Sequence, residues 1–302
     1  MAALINTSLT LSIEAPFDFE QTVTAHGWVA LLPNHWNSEN KRLLRIQQLI
    51  DGHVVQMVIS QTRSADSPEI RIHVSHTKAL STNGKEEIIK IVRHMLRLDE
   101  DFSQLYATAG KKDAYYQPMM QGFGRLLRSP TVFEDLVKTI CTTNIQWGGT
   151  KRMIKEIIDA FGHPFANDPE QKSFPSAQDL AQCDFETFNS KTNLGYRTDY
   201  IHLLARRITD GELDVESFLD PAIKTADLRK KLLAVKGIGN YAAATMLMLL
   251  GHYDALPVDS VFREFVFKKY FKGKSVAQAR AEKIYKGWGK WKYLAYWYDM
   301  TR

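Results

Sequence analysis

The first quarter of the chain alternates apolar and polar residues in short runs. Val54-Val55-Gln56-Met57-Val58-Ile59 and Ile70-Arg71-Ile72-His73-Val74 place apolar side chains at every second position, the period of a half-buried strand. Asp51-Gly52 and Asp66-Ser67-Pro68 supply turn signals beside them, so Leu9 to Val74 reads as antiparallel strands. From Glu86 to Leu98 the period changes. Ile88, Ile89, Val92, Met95 and Leu96 recur at three and four, which predicts a helix and places a boundary near residue 100.

Beyond Asp99 helical periods dominate. Val132 to Ile145 gathers Phe133, Leu136, Val137, Ile140, Cys141 and Asn144 on one face, with Ser129-Pro130 as cap and first-turn proline. Met153, Ile154, Ile157, Ile158 and Phe161 repeat the pattern up to Gly162, and Ala242 to Leu250 is apolar on all sides, the mark of a helix at the centre of a bundle. The predicted fold class is mainly α with an N-terminal α+β domain. Residues 1–100 form the antiparallel-sheet part and residues 101–302 the helical part.

Composition narrows the partners. The 302 residues are 44% hydrophobic, with 39 Lys+Arg against 34 Asp+Glu, which excludes disorder and predicts two or three cooperating substructures. The longest apolar stretch, Ala242 to Leu250, contains Thr245 and stops at Gly251-His252, short of the roughly 20 residues of a membrane span. No membrane partner is expected. Met1 to Thr7 has no basic region ahead of its apolar residues, which predicts the cytoplasm or nucleoid of a bacterium, or the nucleus of a eukaryote. Cys141 and Cys183 are too few for a disulfide framework or a four-thiolate metal site. The net charge of +5 favours a polyanionic partner without identifying one.

The most informative stretch is Leu232-Leu233-Ala234-Val235-Lys236-Gly237-Ile238-Gly239-Asn240-Tyr241-Ala242-Ala243-Ala244. It reads as a helix ending at Gly237, a turn through Ile238 and a second helix opened by Gly239, a hairpin spanning about residues 228–251. Backbone N–H groups at such a helix start hold a phosphate oxygen without side-chain bulk. Downstream, Asp259 in Leu256-Pro257-Val258-Asp259-Ser260-Val261-Phe262 reads either as the N-cap of a helix from Ser260 to Lys269 or as a reactive carboxylate. The two readings are compatible.

These residues, together with Ile140-Cys141-Thr142-Thr143-Asn144, Ser173-Phe174-Pro175-Ser176, Leu194-Gly195-Tyr196-Arg197-Thr198-Asp199-Tyr200 and Pro16 to Phe19, occur in an order that resembles the helix-hairpin-helix (HhH-GPD) DNA glycosylase superfamily. The likeness is to its 3-methyladenine and 8-oxoguanine glycosylase branches. It implies base excision repair: a damaged purine is flipped out of double-stranded DNA and its N-glycosidic bond is hydrolysed. Neither a cofactor nor a catalytic metal is implied, and no obligate protein partner.

The resemblance also implies roles. Asp259 becomes the catalytic carboxylate, and Lys236, Gly237, Ile238 and Gly239 the DNA backbone clamp. Asn144, with Gln146 and Trp147 beside it, falls where the gap left by the flipped base is filled, and Arg197 where the opposite strand is contacted. Tyr241 stands where strand-cutting members carry the lysine that forms a Schiff base, which implies a monofunctional enzyme using water, and it is itself a base-pocket candidate. Lys236 precedes the first glycine and reads as a solvated or phosphate-facing lysine, with a nucleophilic role as the alternative.

The basic and aromatic run from Lys283 to Tyr298 reads mostly as packing, with one or two of Trp291, Tyr293 and Trp297 bordering the base pocket. The missing lysine and the aromatic supply favour an alkylated purine, of the 3-methyladenine glycosylase II type. An oxidised purine of the 8-oxoguanine type is the alternative. A second alternative is a non-catalytic helix-hairpin-helix DNA-binding protein.

Overall fold

In the computed structural model, residues 3–62 and 68–302 are described. Met1 and Ala2, and Asp66 and Ser67 of the predicted turn, lie outside the described residues. The alternating segments form one antiparallel sheet of β1 (Ile5–Ser12), β2 (Asn34–Asn37), β3 (Arg42–Gln48), β4 (Val54–Gln61) and β5 (Glu69–His76), in the order β1-β5-β4-β3-β2. Met57 pairs with Val74 and Ile59 with Ile72. Side chains paired across strands share a face, so Val55, Met57, Ile59, Ile70, Ile72 and Val74 form one apolar layer, each 0% exposed.

Helix ends are set by caps and by left-handed residues. α1 (Thr82–Met95) starts before Glu86 because the Ser81 hydroxyl accepts the Gly84 N–H at 3.0 Å. It stops at Met95, ahead of Arg97 at φ 55°. α2 (Val132–Thr142) is capped by Thr131, whose hydroxyl accepts the Glu134 N–H, so Ser129 and the predicted first-turn Pro130 lie ahead of the cap. The helix ends three residues short of Ile145, since Asn144 adopts a left-handed φ of 48°. α3 (Trp147–Phe161) begins six residues before Met153. Gly162 closes it in extended backbone. A Cβ there would lie 2.4 Å from the Ser173 carbonyl oxygen, so close approach rather than turn geometry excludes a side chain.

A buried ionic cluster ties the sheet to α2. Arg45 on β3 grips Glu134 with two hydrogen bonds, at 2.6 and 3.1 Å, and Lys138 reaches the same carboxylate at 2.7 Å. Burial pushes the Glu134 carboxyl up, but the two cations outweigh it and hold the group below its usual range.

Packing divides the chain into two units. One comprises residues 1–101 and 120–215, holding the sheet, α1 to α3 and α4 (Arg197–Thr209). The other comprises residues 102–119 and 216–302, with α5 (Thr225–Leu233), α6 (Asn240–Leu249), α7 (Ser260–Phe271) and α8 (Lys292–Thr301). α6 is the predicted apolar helix, and Ala242, Ala243 and Met246 to Leu249 are all buried. Near the C-terminus, the buried Asp299 carboxylate accepts from Lys269, Tyr270 and Tyr285 and holds α8 to α7. The chain is thus mainly α with an N-terminal antiparallel sheet, as its sequence predicts. Among the described residues no helix is long and apolar enough to cross a membrane.

Candidate functional site

The hairpin lies wholly within the second unit. α5 ends at Leu233, four residues before the predicted Gly237, and the connection is held by Val235 N–H to Leu232 O and Ile238 N–H to Val235 O, both 3.0 Å. Gly237 has φ 91°, a conformation that costs a residue with a Cβ, while Ile238 is 5% exposed and anchors the turn. Gly239 is the N-cap of α6, with an ordinary φ of −90°. A Cβ built on it meets nothing within 4 Å. Neither backbone strain nor internal crowding therefore requires glycine at 239. A bare backbone there leaves the first N–H groups of α6 open to a ligand approaching from outside.

Asp259 is the N-cap of α7, which extends two residues beyond the predicted Lys269. Its Oδ1 accepts the Phe262 N–H at 2.8 Å, and its own N–H donates to the Pro257 carbonyl at 2.7 Å. The helix dipole adds to this fixing of the carboxylate. Asp259 lines a cavity of about 880 Å³ together with Asn240 and Tyr241 from the start of α6. Arg263, Lys286 and Lys292 also contribute to its walls. Among the described residues no cluster of three or more His, Cys, Asp or Glu side chains is placed to hold a metal ion.

The predicted pocket aromatics divide. Tyr241 is 49% exposed and on the cavity wall. Trp291 (6% exposed) packs on Tyr253, and Tyr293 (4% exposed) stacks on the half-buried Trp297; none of these three lines the cavity. The Tyr293 phenol is pushed up by burial and by Tyr296, Tyr241 and the Asp259 charge, and so stays protonated. Lys236 is exposed at the turn, outside the cavity.

Asn144, Gln146 and Trp147 belong to the first unit, all exposed, Asn144 and Gln146 on the loop between α2 and α3 and Trp147 as the first residue of α3. The Trp147 ring lies over Gly27, where a Cβ would come within 2.7 Å of it. Asn144 Nδ2 donates to the Tyr196 hydroxyl at 3.5 Å. Arg197, expected at the surface against an opposite strand, is instead 5% exposed; it donates to the carbonyl of Thr143 and lies 4.4 Å from the centre of the Tyr196 ring. It braces the loop from below.

Sequence reasoning missed Tyr196, half exposed beside Asn144, although it sits next to Arg197 in a segment already singled out. It also missed Arg263, Lys286 and Lys292, because helical spacing does not report which residues face a cavity.

A model of the HhH-GPD superfamily base excision DNA repair proteins matches residues 137–291, just over half of the chain. A DNA-3-methyladenine glycosylase of Bacillus subtilis is 27% identical over 180 residues, and the match covers 59% of this chain and 59% of that protein. Among solved structures, a 3-methyladenine DNA-glycosylase from Archaeoglobus fulgidus superposes with a TM-score of 0.74 at 18% identity, covering 97% of each chain. The Clostridium acetobutylicum 8-oxoguanine glycosylase/lyase in its apo form gives 0.70 at 17% identity, over 99% of this chain and 97% of that one. These two likenesses establish the fold.

Proposed function

The chain belongs to the HhH-GPD superfamily of base excision DNA repair proteins, and we propose that it is a DNA N-glycosylase that releases a damaged purine from double-stranded DNA by attack of water. The observation that carries this reading is the shared cavity, in which the fixed Asp259 carboxylate meets the first residues of the hairpin helix. The open N–H groups around Gly239 take a phosphate oxygen and bring the sugar of a flipped nucleotide to Asp259. Breaking the glycosidic bond leaves positive charge on the deoxyribose, which a fixed carboxylate stabilises while it orients the water.

Tyr241 supports the use of water, since a phenol forms no imine. Asn144, Gln146, Trp147 and Tyr196 fill the gap in the duplex, on the strength of their exposure, and Arg197 positions their loop. The alkylated purine expected from the sequence rested on the missing lysine and on aromatic pocket walls; Tyr241 keeps the first ground, while for Trp291 and Tyr293 the second falls away.

Duplex oligonucleotides carrying single alkylated, deaminated or oxidised bases, incubated with the protein and assayed with and without alkali, test the proposal. Strand breaks only after alkali are expected. Breaks without alkali would turn attention to an amine nucleophile, for which Lys292 on the cavity wall is better placed than Lys236. Binding with no release of any base would leave a DNA clamp.

A further inference from the structure

The walls of the cavity beside Asp259 carry an excess of positive charge. Arg229, Arg263, Lys283, Lys286 and Lys292 face Asp254, Asp259 and Glu282, a surplus of two. Arg229 donates to Asn240 Oδ1 at 2.9 Å. Among the described residues, none of the other four cations has a hydrogen-bond partner or a carboxylate within 4 Å. Asp254 is already engaged by the Thr225 hydroxyl at 2.6 Å. Unpaired cations around a concavity focus a positive potential into it. Tyr241 is the aromatic side chain on these walls, so the stacked faces that recognise a cationic ring are scarce.

Resting on the glycosylase reading, we infer that this cavity selects purine lesions that are neutral in DNA and leave as anions, and works against cationic alkylated purines. When the C1′–N9 bond breaks, its electron pair departs with the base. A neutral purine leaves as an anion, whereas a purine already carrying an alkyl group and a positive charge leaves neutral. The water oxygen bonds to C1′, and a proton from that water ends on the departing base. The wall cations stabilise the negative charge growing on the base, while Asp259 stabilises the positive charge growing on the sugar. For a cationic base the same cations oppose entry; its departure relieves that repulsion, so the discrimination falls on admission to the cavity. Oxidised and deaminated purines such as 8-oxoguanine and hypoxanthine fit this requirement; 7-methylguanine and 3-methyladenine do not.

Single-turnover excision with protein in excess over DNA but below saturation, on duplexes holding each of these four bases, gives second-order rates that include entry into the cavity and read the preference once each is divided by the spontaneous rate of release. The expected result is a rate enhancement at least 100-fold larger for a neutral lesion than for either cationic one. Lys292→Gln and Lys286→Gln, both partly or fully exposed positions that tolerate the change, should each lower that ratio at least tenfold. A larger enhancement on the cationic lesions, or a ratio unmoved in both variants, overturns the inference and leaves the glycosylase reading intact. Release of no base from any duplex overturns both.

Discussion

The side chain of Asp259 is bonded to the backbone of Phe262, with one carboxylate oxygen accepting the Phe262 N–H at 2.8 Å. A single side chain thereby starts α7 and presents a fixed anion to the cavity. The two duties separate by substitution.

Asp259→Asn keeps the cap, since asparagine caps as well as aspartate, and removes the charge. Melting temperature and DNA binding should hold while excision falls by about 100-fold or more, in line with losing a central electrostatic contribution. Asp259→Ala should lose excision and also about 1 kcal/mol of stability. If Asp259→Asn lost binding and excision in parallel, the carboxylate would be chiefly a structural element.

The two hairpin glycines should respond in opposite ways. Gly237→Ala places a Cβ at φ 91° and should cost about 1–2 kcal/mol of stability. Gly239→Val, at an ordinary φ and with open space around it, should cost no more than about 1 kcal/mol. It should nonetheless weaken binding to every duplex alike, because under the proposed function the groups it covers touch only the DNA backbone. Chemical denaturation and a salt series of binding curves on unrelated sequences separate the two effects.

Arg197→Met should leave the Thr143 carbonyl without its guanidinium donor and release the Asn144 loop. A loss of about 1–3 kcal/mol is expected, with faster amide exchange confined first to residues 143–147. If the exchange rates of that loop stayed unchanged, Arg197 would not be its brace.

Two partly buried histidines set an acid limit on stability. Burial, with Arg97 and Lys138 nearby, holds His26 down at about 4 against the pull of its bond to the Leu127 carbonyl; burial and two arginines hold His94 at about 3. Both rings are neutral in the fold and take up protons more readily once unfolded. Their contribution is complete above pH 6.5 and is lost as the pH falls towards 4, at a slope of up to roughly 1.4 kcal/mol per pH unit for each. Thermal melts from pH 7 to pH 4 should show the decline, and His26→Gln should flatten it.

Much of the first unit's sheet was legible because alternation is a local signal: Met57 and Ile59 announce their face before any partner is known. The hairpin and Asp259 were legible for the same reason, since positive φ and N-capping are properties of a few consecutive residues. The C-terminal aromatics were not. Gly289, at φ 55°, breaks the helical phase between Trp288 and Trp291, so spacing does not carry a face across it. Arg45 and Glu134 are 89 residues apart, and nothing near either one announces a buried pair.

The sequence by itself determined the local conformations and the chemistry available at the candidate site: strand alternation, the bare backbone at Gly239, the carboxylate at Asp259 and the absence of an amine at Tyr241. Tertiary structure alone decided that Trp291 and Tyr293 are core, that Arg197 is a brace, and that Lys286 and Lys292 share a cavity with Asp259. Backbone preference acts over a few residues and is written in them. Exposure and electrostatic company depend on which distant segments pack together, and that is set by the apolar surface of the whole chain.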